Sequence, residues 1–137
     1  MKKITTRVIE VLRAVTGKDR PFTSAVIVAA GSGTRMGKGK GGTKQLLPIC
    51  GVPVAIRSML EFDKSDYIDE IVLVAREEER ETFKGLALAY GIKKLSAIAR
   101  GGESRQESVL RGFSKISPKS GFVAVHDAAR CLVTADM

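Results

Sequence analysis

An uninterrupted run of small apolar residues, AVIVAA at positions 25–30, constrains the fold more than any other feature of the sequence. A strand with one face in water alternates apolar and polar side chains, whereas a continuous run is typical of a strand buried on both faces. A segment with six glycines, residues 31–43, follows it directly. The sequence therefore predicts an interior strand that ends in a loop.

Further apolar runs alternate with amphipathic segments along the rest of the chain. The pattern predicts strands at 71–75, 95–99 and 122–125, and helices after Pro53, at 77–90 and after the capping sequence Ser104–Glu107. Strands that alternate with helices predict an α/β fold, with a mainly parallel sheet and helices on both faces.

Details of two helices can also be predicted. Gly91 is placed to end the helix at 77–90 in a left-handed conformation. In the helix that Ser104 opens, we expect Val109, Phe113 and Ile116 to face the core.

The net charge of +8 is concentrated in two segments. Residues 1–20 and residues 31–45 each carry a surplus of four positive charges, and the remainder of the chain balances. Residues 1–23 are predicted to be a leader or linker, either an amphipathic helix or a partly disordered extension. The second basic segment coincides with the glycines, which indicates a small, highly charged anion as ligand.

Several classes of function are disfavoured by composition. With only seven aromatic residues, a base-stacking surface for nucleic acid is not expected. No apolar run approaches the length of a membrane span. Cys50 and Cys131 have neither metal-ligand nor disulfide spacing, and two unpaired cysteines favour a cytoplasmic protein.

Ligands of open α/β sheets bind at the carboxyl ends of the strands. The glycine loop, the Gly101-Gly102 turn and His126-Asp127 all follow predicted strands, so topology should bring them together. Glycines allow close backbone approach to phosphate, and Arg35 and Lys44 flank this cradle.

Neighbouring residues of these segments receive different interpretations. Asp127 is a candidate Mg²⁺ ligand. Arg130 is interpreted either as a phosphate contact or as the partner of an acid. His126 receives no catalytic role, and Lys38 and Lys40 are interpreted as solvated loop lysines.

Four ordered segments, AAGSGTRMG, TKQLLPICGVPV, GGESRQESV and VHDAAR, closely resemble the 2-C-methyl-D-erythritol 4-phosphate cytidylyltransferases of non-mevalonate isoprenoid biosynthesis. The resemblance runs from about Ser24 to the end of the chain. It implies a Rossmann-like nucleotidyltransferase fold, with residues 24–137 as its nucleotide-binding portion. It also implies CTP and methylerythritol phosphate as substrates, Mg²⁺ as cofactor, and a homodimer in the full-length family.

The resemblance implies a role for each matching residue. Arg35 and Lys44 would stabilise the reacting α-phosphate, and Asp127 would hold Mg²⁺ near the ribose. The nucleotide-binding set would be Ala29, Ala30, Gly31, Gly33, Gly102, Glu103, Arg105, Ser108 and Asp127. Ser108 is expected in the first helical turn, where N–H groups face the ligand.

The sequence departs from the family pattern in three places. Cys131 stands where a proline usually follows H-D-A-A-R, the loop at residues 38–42 is longer and more basic, and the chain stops just after its fourth strand. It is therefore interpreted as a fold truncated at the carboxyl terminus, for which we expect little turnover.

Four alternative functions stay open, of which nucleic-acid binding through the basic leader is the weakest. A ribitol-5-phosphate cytidylyltransferase is disfavoured by the AAG and HDAAR segments. A dinucleotide-binding oxidoreductase is disfavoured because Met36 stands where a third glycine is required. The third alternative is a non-catalytic nucleotide-binding remnant.

Overall fold

The computed structural model describes residues 20–31 and 44–136, together with positions 7, 8, 10 and 11. Those four positions are helical, and Val8 and Val11 are exposed. The rest of the predicted leader helix lies outside the described residues. Among those described, no helix is long and apolar enough to cross a membrane.

The described elements alternate as the apolar pattern predicts. The strands are β1 (Phe22–Ala29), β2 (Pro48–Ile49), β3 (Val52–Pro53), β4 (Glu70–Ala75), β5 (Leu95–Arg100) and β6 (Ser120–Asp127). The helices are α1 (Val54–Lys64), α2 (Arg80–Ala89) and α3 (Arg105–Phe113), with short 3-10 turns at Lys44–Leu46 and Glu77–Glu79. All four predicted strands and all three predicted helices are confirmed, whereas the small β2–β3 hairpin was not predicted.

The main sheet is parallel throughout, with the strand order β5-β4-β1-β6. Near the amino-terminal ends of its strands, the buried Glu70 Oε1 accepts hydrogen bonds from Ser24 Oγ and from the Ser117 N–H, both at 2.8 Å. The Ser24 and Ser120 hydroxyl oxygens lie 2.5 Å apart. These bonds satisfy a carboxylate that would otherwise be costly to bury, and they join β1, β4 and β6.

Helices cover both faces of the sheet, as predicted. One apolar cluster packs α1 and α2 against it through Ile56, Met59 and Phe83. A smaller cluster packs Val109 and Ile116 against Val26 and Val74 on the other face.

Phe113 is 44% exposed, so its predicted burial is wrong. Gly112 is the residue that lies against the sheet, since a Cβ there would come within 2.5 Å of Val26 Cγ1. Side chains of a helix rotate by about 100° per residue, which turns Phe113 to the flank.

Gly91 ends α2 as predicted, with a φ of 70°. The Ile92 N–H donates to the Ala87 carbonyl at 2.9 Å, and the Gly91 N–H donates to the Leu88 carbonyl at 3.2 Å. This is the paired bonding of a Schellman motif.

Candidate functional site

A cavity of about 790 Å³ lies at the carboxyl edge of the sheet. It is lined by Val28, Ala30, Gly31, Lys44, Gln45, Arg76, Gly102, Glu103, Ser104, Arg105, Ser108, Asp127, Ala129 and Arg130. The segments after β1, β5 and β6 therefore converge as predicted. Ala29, the predicted nucleotide contact at the end of β1, is fully buried and does not line the cavity.

The turn after β5 packs tightly on the segment that follows β1. A Cβ at Gly101 would lie only 2.2 Å from Ala30 Cβ, so this position requires glycine. The Gly101 N–H donates to the Ala75 carbonyl at 2.8 Å, which anchors the turn to the end of β4.

The amino terminus of α3 forms one wall of the cavity. Ser104 Oγ accepts a hydrogen bond from the Glu107 N–H at 3.0 Å, which confirms Ser104 as the N-cap. Glu107 Oε2 accepts from the Glu103 N–H at 3.0 Å, one residue before the usual position of a capping box. The Glu103 N–H and the Arg111 guanidinium hold the pKa of Glu107 below its usual value.

Ser108 contacts the turn through its side chain. Its hydroxyl accepts from the Gly102 N–H at 3.0 Å, while its own N–H donates to the Ser104 carbonyl at 3.0 Å. Ser108 lies in the first turn of α3, as expected, but its own N–H already has a carbonyl partner and is not one of the free N–H groups of that turn.

Asp127 lies between two arginines. Its Oδ1 is 3.0 Å from Arg105 Nε, and its Oδ2 is 3.4 Å from Arg130 Nε. Of the two interpretations of Arg130, pairing with an acid is the one observed. The Asp127 side chain is 32% exposed, so the carboxylate is accessible from the cavity.

Whether Asp127 can bind Mg²⁺ depends on which other ligands lie near its carboxylate. Within the described ranges there is no group of three or more acidic, His or Cys side chains able to hold a metal. Mg²⁺ is commonly held by one or two carboxylates together with substrate phosphates and water. Asp127 fits that mode, provided that a bound anion draws the arginines away.

The turn after β6 is fixed from beneath by α1. Ser58 Oγ is buried and donates to the Ala128 carbonyl at 2.8 Å, and the Ala128 N–H donates to the Val28 carbonyl at 2.9 Å. His126 Nε2 lies 2.9 Å from the Arg130 carbonyl oxygen, and its ring is 5.0 Å from that of Phe62. These contacts agree with the structural role expected of His126.

Lys44 lines the cavity, as predicted, whereas Gly33 and Arg35 lie outside the described residues. Sequence reasoning missed Gln45 and Arg76. Arg76 directly follows β4, so the rule that identified the other strand ends could have identified it. Gln45 had no comparable signal beyond its position after Lys44.

The described lining has an excess of positive charge. Lys44, Arg76, Arg105 and Arg130 contribute cations, and Glu103 and Asp127 contribute carboxylates. Asp127 pairs with two of these arginines, and Arg76 pairs with Glu78, which is not part of the lining, at 2.5 Å. This is the electrostatic character of a site for an anion.

Comparison with known proteins identifies the family of this chain. The sequence profile of the 2-C-methyl-D-erythritol 4-phosphate cytidylyltransferases matches residues 23–137. The chain belongs to this family.

Curated cytidylyltransferases resemble the chain over most of its length. One from Symbiobacterium thermophilum is 44% identical over 115 residues, which are 83% of this chain and 46% of the relative. One from Clostridium botulinum is 41% identical over 114 residues, covering 83% and 49% of the two proteins. The chain thus spans about half the length of the curated relatives that it matches.

Solved structures agree with the family assignment. The 4-diphosphocytidyl-2C-methyl-D-erythritol synthase of Anaerococcus prevotii superposes with a TM-score of 0.70 at 28% identity, covering 85% of this chain and 47% of that one. A CMP:2-keto-3-deoxy-manno-octonic acid synthetase, solved with CTP, has a TM-score of 0.64 at 15% identity over 84% of this chain and 43% of that one. The second match shows the nucleotidyltransferase fold alone.

Proposed function

We propose that this chain holds CTP in the transfer of CMP to 2-C-methyl-D-erythritol 4-phosphate, with release of pyrophosphate. The observation that carries the proposal is the cationic cavity at the carboxyl edge of a cytidylyltransferase sheet. The phosphate oxygen of the acceptor attacks the α-phosphorus of CTP and forms a new P–O bond. The bond from that phosphorus to the bridging oxygen breaks, and pyrophosphate carries the electron pair away.

Cations near the α-phosphate supply most of the catalysis in this proposal. Negative charge accumulates on the phosphoryl oxygens as two anions approach one another, and fixed cations stabilise it without reorganisation. We assign this role to Lys44, which lines the cavity, and to Arg35 of the glycine-rich loop. Ala30, Gly31 and Gly33 would hold the ribose and phosphates in this assignment, and the buried Ala29 would position them from the end of β1.

The wall formed by the turn after β5 is proposed to recognise cytosine. Gly102 and Glu103 form this turn, Ser108 supports it, and Arg105 stands beside it on α3. A turn fixed by so many hydrogen bonds is preorganised for a planar base, so little entropy is lost when the base binds.

Asp127 is proposed to hold Mg²⁺ together with the phosphates, and Mg²⁺ would supply charge neutralisation to the triphosphate. Before the nucleotide arrives, Arg105 and Arg130 neutralise the carboxylate. The phosphates then offer both guanidinium groups a stronger bidentate partner.

We further propose that the protein is cytoplasmic and that the full-length enzyme is a homodimer.

Calorimetric titration with Mg²⁺ present tests the nucleotide assignment. We expect CTP to bind more tightly than ATP or NAD. Lys44→Ala should weaken CTP binding by roughly ten- to a hundred-fold, because charge-assisted bonds are worth about 1.5–3 kcal/mol. Lys84→Ala, an exposed lysine on α2 outside this cavity, is the matched control. Tighter binding of NAD than of CTP would refute the assignment.

A pyrophosphate-release assay tests the acceptor. Methylerythritol phosphate and ribitol 5-phosphate are compared, using the chain alone and the chain joined to the carboxyl-terminal half of a family member. Faster release with ribitol 5-phosphate would favour the alternative cytidylyltransferase. CTP binding without release from either protein would favour a nucleotide-binding remnant.

A further inference from the structure

Gln45 carries a buried polar atom that the proposed chemistry leaves unused. The residue is only 3% exposed, and its Oε1 has no hydrogen-bond partner within the described part of the chain. More than nine in ten buried polar groups of folded proteins are paired, so an unpaired one at a binding site indicates a partner that arrives with the ligand.

The position of Gln45 is set by the segment that follows β1. Gln45 lies in the 3-10 turn beside Lys44 and lines the same cavity. Its Nε2 would stand 3.3 Å from a Cβ at position 31, so Gly31 leaves the room that the carboxamide occupies. The terminal torsion of a glutamine has a broad energy profile, so the carboxamide can rotate to bring Oε1 to a donor in the cavity that Gln45 lines.

The chemistry of a carboxamide oxygen selects its partner. Such an oxygen only accepts hydrogen bonds, and ionised phosphate oxygens also only accept. The triphosphate can therefore bind the cations that line the cavity, but it cannot donate a hydrogen bond to Oε1. A sugar hydroxyl or a base amino group is a donor and can do so.

We propose that Gln45 is a nucleotide-binding residue, whose Oε1 accepts a hydrogen bond from a donor on the neutral part of the ligand. The inference rests on the proposed function and extends it to one atom. The proposal also explains why a destabilising feature is present. A buried oxygen without a partner opposes folding, and such a feature is expected where a ligand uses it.

The experiment compares Gln45→Met with the native chain against four ligands. Each of the three analogues 2′-deoxy-CTP, 3′-deoxy-CTP and UTP lacks one candidate donor of CTP, which is the 2′-hydroxyl, the 3′-hydroxyl or the 4-amino group respectively, and UTP also has an N3–H donor where CTP has an acceptor. We expect the native chain to bind one of the three analogues roughly three- to ten-fold more weakly than CTP. Gln45→Met should bind CTP more weakly by a similar factor and should no longer distinguish CTP from that analogue.

Thermal unfolding without ligand provides the second measurement. Methionine fills a similar volume without an unpaired polar group, so Gln45→Met should keep or raise the melting temperature while it weakens binding. Gln106→Met, at an exposed position of α3 outside the cavity lining, should change neither quantity.

The outcomes separate this inference from the proposed function. If the native chain binds none of these nucleotides, the proposed function fails. If CTP binds and Gln45→Met retains the native discrimination, or loses affinity equally for all four ligands, the inference alone is overturned.

Discussion

At the scale of single residues, one carboxylate shapes the wall proposed for the base. Glu107 accepts from the Glu103 N–H at 3.0 Å and pairs with Arg111 at 2.7 Å, and Arg111 also donates to the Gly101 carbonyl. Both contacts favour the ionised form and lower the pKa of Glu107. The shape of the turn therefore depends on that charge.

The lowered pKa of Glu107 predicts a loss of stability in acid. A group whose pKa is lower in the folded state stabilises the fold above its unfolded pKa, and this contribution disappears as the pH falls through the folded value. The stability difference between the native chain and Glu107→Gln should thus be constant near neutrality and narrow below about pH 4.

Urea midpoints measured between pH 7 and pH 3 check this prediction. Glu81→Gln, an exposed position on α2, controls for the loss of one surface charge. A difference that stays constant down to pH 3 would contradict the assigned role of Glu107.

At the scale of elements, α2 and α3 each carry a glycine, and the two glycines differ in what surrounds them. Gly112 brings α3 onto the sheet, since a Cβ there would lie 2.5 Å from Val26 Cγ1 and 2.9 Å from Val74 Cγ2. A Cβ at Gly85 in α2 would meet nothing within 4 Å. Of these two helical glycines, packing therefore requires only Gly112.

Replacement of each glycine by alanine should have opposite effects on stability. Gly112→Ala should destabilise the fold by about 1–3 kcal/mol, because α3 must move off the sheet. Gly85→Ala should stabilise it by about 0.5–1 kcal/mol, because alanine restricts the unfolded chain and favours helix. Chemical denaturation measures both changes, and a loss of stability at Gly85→Ala would show a packing role that the structure lacks.

Local sequence pattern accounts for most of the elements and for less of the site. Continuous apolar runs and helix capping signals depend on neighbouring residues, which is why the strands, the end of α2 at Gly91 and the start of α3 at Ser104 could be predicted. The exposure of Phe113 and the pairing of Asp127 with two arginines depend on how elements pack in three dimensions. The unpaired oxygen of Gln45 depends on which groups the fold brings around that side chain, and no local pattern encodes those neighbours.

At the scale of the whole molecule, β6 is an edge strand of the described sheet, and it carries exposed apolar side chains. Phe122 is 62% exposed and Val125 is 41% exposed, on opposite faces of the strand. An unpaired edge with apolar neighbours is a template for association.

This edge predicts concentration-dependent self-association of the chain. Phe122→Lys should reduce association, because charge on an edge strand opposes pairing between copies. Leu88→Lys is the matched control, since Leu88 is 84% exposed on α2, which packs beside β5 at the opposite edge of the sheet from β6. Sedimentation velocity across a range of concentrations checks the prediction, and a sample that stays monomeric at all of them would contradict it.

The position of β1 in the sheet also has a consequence for synthesis on the ribosome. β1 is an interior strand, yet its partner β6 lies about a hundred residues later in the chain. At about 5–20 residues per second, one edge of the nascent β1 waits roughly 5–20 seconds for that partner. During this interval a largely apolar strand that is buried in the folded protein is half-paired, so this is the period in which chaperone binding would matter most for the yield of the protein.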